Sequence, residues 1–293
     1  MIEKENTKTN ESLKDHTTYK VGGTCKYFIT PKDLEELINL IKYLRKNNMK
    51  YMILGNGSNT IFSSKEYDGV IINLSNLNSM KIEGDKIDVE AGYQLIKLSM
   101  DALNNGLSGL EFAAGIPGNI GGAIFMNAGA YKSDMSNLVE TVTFLDENLE
   151  LKTLPKEELD FSYRKSLFQK NNYIIISTVL KLTPGDKDEI KALMDKRKQR
   201  RIDSQPLEYP SAGSVFRNPS EDIFAGKLIE DLGLKGYTIG GAQISEKHAN
   251  FIINIGNATG EDIKALIDLV KSKVKEEYNI DLHVEQRFIN FED

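Results

Sequence analysis

The chain has 293 residues, 40% hydrophobic and 27% charged, the make-up of a globular protein long enough for about two domains. A formal net charge of −6 argues against a general nucleic-acid binder, whose footprint is basic, but leaves room for phosphorylated small molecules held by backbone amides. The single cysteine, Cys25, can form no intrachain disulfide, and no Cys/His cluster has zinc-ligand spacing, so no metal site is expected.

The opening MIEKENTKTNESLKDH is polar throughout, so no signal peptide and a cytoplasmic location are expected. Thr30 is the expected N-cap of a helix over 31–47, with Pro31 first and Asp33 as capping-box partner. Leu34, Leu37, Ile38, Ile41 and Leu44 form its apolar face. YMIL (51–54) and VIINL (70–74) read as strands, the second entered through an Asp68-Gly69 turn, and IDVEAG (87–92) as a third. A helix from near Gln94 to Asn105 stops at Gly106. The stretch 112–131, FAAGIPGNIGGAIFMNAGAY, is uncharged for roughly a membrane span. Its glycines, proline and asparagines suit irregular backbone instead, and no membrane insertion is expected.

VETVTFLDENLELKTL (139–154) reads as a hairpin turning at Asp-Glu-Asn, and YIIISTVLKL (173–182) as a strand punctuated by Pro184-Gly185. A domain boundary is placed there, where strand pattern gives way to the charged helix DKDEIKALMDKRKQRR. Its basic end reads as a solvated face or a linker. A short helix, AGKLIEDLG (225–233), precedes a longer one from Glu261 to Tyr278, capped by Thr259 and Asp262. Ile263, Leu266, Ile267, Val270 and Val274 of the longer helix face a core, and ANFIINI (249–255) and DLHVEQRFINF (281–291) are strand-like. The class is α+β, without a 20–50-residue repeat.

Two glycine-rich segments stand out. LGNGSNTIF (54–62) lacks the third glycine of a dinucleotide fingerprint and soon enters another strand, so a Rossmann crossover is not expected. Gly55, Asn56, Gly57, Ser58 and Asn59 form either a simple tight turn or a nest of backbone N–H groups for a diphosphate. In GIPGNIGGAIFMNAGAY, the small residues around Pro117, Gly118, Asn119, Gly121, Gly122 and Asn127 let backbone approach a flat or phosphorylated ligand. Together the two loops suggest an extended dinucleotide cofactor, with a purely structural role for both as the alternative. In YPSAGSVFRNP (209–219), Ser214 sits among small residues; its hydroxyl either caps a turn or does chemistry, and the segment alone leaves both open.

Taken in order, HTTYKVGG (16–23), GNGSN, GIPGNIGGAIFMNAGAY, SYRKSLF, PLEYPSAGSVFRNP and FAGKLIEDLGLKGYTIGGAQISEKHANFIIN, with EQRF at 285–288, cover nearly the whole chain. In this order they resemble the UDP-N-acetylenolpyruvoylglucosamine reductase family, flavoproteins that make UDP-N-acetylmuramate for peptidoglycan. The short separation between Arg164 and Ser214 resembles its second subclass. The alternatives are another flavin oxidoreductase of the same fold, or a flavin- or sugar-nucleotide-binding protein without turnover.

The resemblance implies an α+β fold: an FAD-binding domain of the vanillyl-alcohol-oxidase type over 1–185, made of two subdomains meeting near residue 90, then a substrate domain over 186–293. It implies FAD across the two glycine-rich loops. His16, His248 and His283 are the only histidines and none lies in those loops, so the FAD is expected to be non-covalent. The resemblance further implies NADPH as hydride donor, and catalytic roles for Arg164, Ser214 and Glu285. Tyr163, Asn218 and His248 become substrate contacts. A monomer acting on small molecules is expected, with no nucleic-acid partner.

Overall fold

The computed structural model describes residues 6–291. β1 (Thr7–Ser12) and β2 (Thr24–Ile29) precede α1 (Leu34–Lys46). The cap of α1 is Asp33, whose carboxylate accepts from the Glu36 N–H at 2.8 Å, rather than Thr30. Asp33 displaces Thr30 because Glu36 in turn accepts from the Lys32 N–H at 2.8 Å, which closes the first turn three residues later than expected. β3 (Tyr51–Leu54), β4 (Thr60–Phe62) and β5 (Tyr67–Asn73) follow. Asp68 and Gly69 lie inside β5, not in a turn before it. Within the polar opening stretch, Thr7–Ser12 form a strand: a sheet of order β1-β2-β5-β3 places β1 at its edge, where solvated polar side chains are no obstacle.

β6 (Met80–Glu83), β7 (Lys86–Glu90), α2 (Leu95–Asn104) and β8 (Leu107–Ser108) come next. α3 (Ile120–Phe125), β9 (Gly129–Ala130) and β10 (Ser133–Asp134) follow the second glycine-rich turn. The expected hairpin is β11 (Val139–Leu145) with β12 (Leu151–Pro155), and the Asp146 carboxylate holds its turn by accepting from the N–H groups of Asn148 and Glu150. β13 (Ile174–Lys181) completes a sheet of order β12-β11-β13-β7-β6, and β14 (Thr183–Pro184) pairs with β8. The change from the first sheet to this one falls between Asn73 and Met80, earlier than residue 90. α4 (Lys187–Ser204), α5 (Ala225–Asp231), β15 (Thr238–Ile239), β16 (Ala242–Ile244), β17 (Ile252–Asn254), α6 (Gly260–Tyr278) and β18 (Arg287–Ile289) complete the chain. The capping box of Thr259 and Asp262 opens α6, and the five residues expected to face the core are buried. No helix among the described residues is long and apolar enough to cross a membrane.

The chain divides into two compact units, cut differently from 1–185 and 186–293. Tyr27–Asn56 and Gly69–Arg200 make up most of the first; Thr9–Lys26, Gly57–Asp68 and the chain from Arg201 onward make the second. Packing explains both departures. Tyr19, Val21 and Ile61, all buried, join the core built on α6, each such apolar side chain contributing about 1.5–3 kcal/mol. Ile190 and Met194 of α4 pack on Leu103 of the first unit. The basic end of α4 is also held there: the Tyr131 hydroxyl donates to the Arg197 carbonyl at 3.0 Å, and Arg197 and Arg200 lie 5.0 and 5.8 Å from the Tyr131 ring centroid. Most of α4 is nonetheless exposed, as a solvated face requires.

Candidate active site

In the first unit, a tight loop carries Tyr163 and Arg164. Ser162 and Lys165 exchange backbone hydrogen bonds across it, and Arg164 at its tip has a left-handed φ of +57°. A non-glycine residue in that conformation needs outside support. The second glycine-rich segment supplies it. Arg164 Nη2 donates to the Gly129 carbonyl at 2.9 Å, Asn127 Nδ2 to the Ser162 carbonyl at 3.0 Å, and Ser166 Oγ to the Phe125 carbonyl at 2.7 Å. Gln169 Nε2 bonds the Arg164 carbonyl itself at 3.0 Å. Arg164 is therefore half-buried and oriented, while the Tyr163 ring beside it is 57% exposed.

Asn127 belongs to this brace. It is buried, and its amide oxygen accepts from the Ser136 N–H at 3.0 Å while its nitrogen holds Ser162. Both ends of the side chain serve the protein, so its expected closeness to a cofactor is through backbone. Asn119 is similarly engaged, donating to the Gly92 carbonyl at 2.7 Å, and Asn56 reaches the Pro117 carbonyl at 3.4 Å. Gly122 is exposed, with open space where a Cβ would stand.

The GNGSN loop crosses from one unit to the other between Asn56 and Gly57. Among the described residues, no acceptor takes the backbone N–H of Asn56, Gly57, Ser58 or Asn59. Gly57 is buried with φ +62°, and a Cβ there would stand 2.1 Å from the His16 carbonyl oxygen. A run of uncommitted N–H donors around one glycine too close-packed for a side chain is the chemistry a diphosphate requires, so these residues fit a dinucleotide cofactor. Gly57→Ala is accordingly expected to yield protein without the yellow colour and releasable FAD of the parent, read by visible absorbance before and after denaturation. Equal flavin content in the two proteins would remove the loop from cofactor binding.

The second unit carries the other candidates. Gly213, at φ +74°, turns the chain just before Ser214, which forms an isolated bridge with Phe251. On one side the Val215 N–H donates to the Asn250 carbonyl at 2.9 Å, and the buried Asn250 amide bonds both the N–H and the carbonyl of Phe216, at 3.0 and 2.9 Å. On the other side the Glu285 N–H donates to the Val215 carbonyl at 2.8 Å. Asn59 ties the GNGSN loop to the same place, donating from Nδ2 to the Glu285 carbonyl at 3.2 Å and accepting at its own carbonyl from the Arg287 N–H at 3.0 Å. Ser214, Glu285 and Asn59 are thus gathered on three adjoining segments. Asn218 Oδ1 accepts from the Ala225 N–H at 3.2 Å, which leaves its NH₂ as the group free to donate.

His248 sits beside them, its ring centroid 4.7 Å from that of Phe251. Nδ1 accepts from the Asn250 N–H at 3.2 Å, so the neutral ring carries its proton on Nε2. Burial lowers its pKa below the usual 6.5, because the imidazolium loses hydration there. The unfolded chain then binds a proton at a pH where the fold does not. The stability this confers is complete above the unfolded pKa and is lost as pH falls through the folded one. Denaturant midpoints are expected to drop from pH 7 to pH 5, and to drop less in His248→Gln; an identical pH dependence in both proteins would overturn this.

Comparison with known proteins decides the family. A profile described as "FAD binding domain" matches residues 25–154, and one described as "UDP-N-acetylenolpyruvoylglucosamine reductase, C-terminal domain" matches 205–289. A UDP-N-acetylenolpyruvoylglucosamine reductase from Clostridium novyi is 45% identical over 292 residues, all of this chain and 95% of that protein. The chain belongs to the UDP-N-acetylenolpyruvoylglucosamine reductase family. A Caldanaerobacter subterraneus member is 48% identical over 96% of this chain and 92% of its own. The crystal structure of the Thermus caldophilus reductase aligns with a TM-score of 0.81 at 35% identity, covering 94% of this chain and 97% of that one. The α+β, FAD-binding class stands, and the protein is an FAD-dependent oxidoreductase. Within the reductase family frame, the residues that the sequence reading passed over are Asn250 and Gln286. Asn250 gave an advance signal as an amide inside the otherwise apolar ANFIINI, where a buried polar group must find a partner; Gln286, between Glu285 and Arg287, gave none.

Proposed function

We propose that the protein reduces UDP-N-acetylenolpyruvoylglucosamine to UDP-N-acetylmuramate with NADPH, in cytoplasmic peptidoglycan precursor synthesis. The observation that carries this reading is the backbone pairing of Val215 with Glu285, which runs the segment holding Ser214 alongside the one holding Glu285. FAD, when bound non-covalently by the two glycine-rich loops, supplies hydride transfer from NADPH to the enolpyruvyl C3.

The chain's own residues handle charge and the proton. Addition at C3 builds negative charge at C2 and on the adjacent carboxylate. Arg164 meets that charge with a planar fork that cannot deprotonate, already oriented by Gly129. Glu285 stabilises the enolic form by hydrogen bonding. Ser214 gives its hydroxyl proton to C2; a weak acid suffices because a carbanion is a very strong base. Tyr163, the Asn218 NH₂ and His248 Nε2–H bind the sugar nucleotide.

Product analysis tests the assignment. Purified protein with NADPH and the enolpyruvyl sugar nucleotide is expected to form the lactyl ether, two hydrogens heavier. A yellow protein that leaves this substrate unchanged would redirect the search to another substrate of the same fold.

A further inference from the structure

Gln286 lies between Glu285 and Arg287 and is buried, at 4% exposure. Its Nε2 stands 3.1 Å from the Ala212 carbonyl oxygen, 3.4 Å from that of Gly213 and 3.5 Å from that of Ser214. Its Oε1 is 3.0 Å from the hydroxyl of Tyr19, a side chain with no exposed surface. Three successive carbonyls can only accept, so the NH₂ must face them, and Oε1 is left for Tyr19, which therefore donates. Burial pushes the Tyr19 phenol pKa well above its usual 10.0 and keeps that donor protonated. Tyr19 is itself fixed, its carbonyl accepting from Asn254 Nδ2 at 3.0 Å.

We infer that Gln286, anchored by Tyr19, is a positioning residue that sets the height and direction of the Ser214 hydroxyl by gathering the carbonyls of Ala212, Gly213 and Ser214. This rests on the reading of Ser214 as proton donor. Gly213 makes the control necessary: at φ +74°, with nothing near its missing Cβ, this position has no side chain of its own to hold the turn. The carbonyl clamp holds it instead. The opposite flank, from Val215 on, is already secured by Asn250 and Glu285, so the clamp governs the segment immediately around the serine.

Stopped-flow absorbance on FAD-loaded protein tests this in two backgrounds. Gln286→Met keeps length and burial but removes the NH₂. It is expected to leave flavin reduction by NADPH within about twofold, and to slow reoxidation by substrate about 10–10²-fold, the scale of a small misplacement of a reacting group. In a Ser214→Ala background the same change is expected to add less than about twofold, since no hydroxyl remains to be placed. Tyr19→Phe removes only the anchor and is expected to slow reoxidation by less, again only when Ser214 is present. Equal slowing by Gln286→Met in both backgrounds would overturn the inference, as would loss of FAD or folding in both variants, because either result makes Gln286 a general structural support. Slowing by Ser214→Ala without slowing by Gln286→Met refutes the positioning role alone. Near-parental reoxidation in Ser214→Ala refutes the proton-donor reading beneath it.

Discussion

Ser214→Ala is expected to bleach its flavin with NADPH at a near-parental rate, yet to reoxidise with the enolpyruvyl sugar nucleotide ~10²–10⁴-fold more slowly, the usual loss for a general acid. The split follows from the chemistry: reduction by NADPH needs no proton at C2, and turnover of substrate does. The fold is expected to tolerate the change, since the segment is held by backbone bonds from Asn250 and Glu285 rather than by the serine side chain. A hydroxyl that served only to cap a turn would change both half-reactions together or neither. Stopped-flow absorbance separates these outcomes, and near-parental reoxidation would rule out proton donation.

Arg164→Lys is expected to keep its FAD and lose turnover by ~10²–10³-fold, comparable to removing one preorganised donor from a developing oxyanion. Lysine preserves the charge but has neither the planar fork nor the reach to grip a carboxylate while bonding the Gly129 carbonyl. The loop is expected to survive, because Ser162–Lys165, Asn127 and Gln169 hold its backbone independently of the guanidinium. Steady-state rates with flavin content measured on the same samples check this. Parental turnover in the lysine protein would remove Arg164 from the reaction.

Much of the secondary structure was legible in advance, because helix caps, apolar periodicity and turn residues act over a few positions. The capping box of α6, the Asp146 turn of the β11–β12 hairpin and the stop of α2 at Gly106 are local devices, and they stand where the sequence puts them. The cap of α1 was misplaced for the same local reason. Thr30 and Asp33 are both competent caps, and in the fold Asp33 takes the Glu36 N–H while the Glu36 carboxylate takes that of Lys32.

The candidate site divides in the same way. Its residue types were visible as short motifs, and the family resemblance assigned them roles. What holds them was not visible. Tyr19 and Gln286 are 267 positions apart, and Asn59 and Glu285 are 226 apart, so no window of sequence could pair them. By itself the sequence determined the local elements, the polar and glycine-rich loops, and the family. Only the tertiary structure decided which early segments join the C-terminal core and which amides clamp the Ser214 segment, because a buried polar group must find a partner and that partner exists only once the chain has folded.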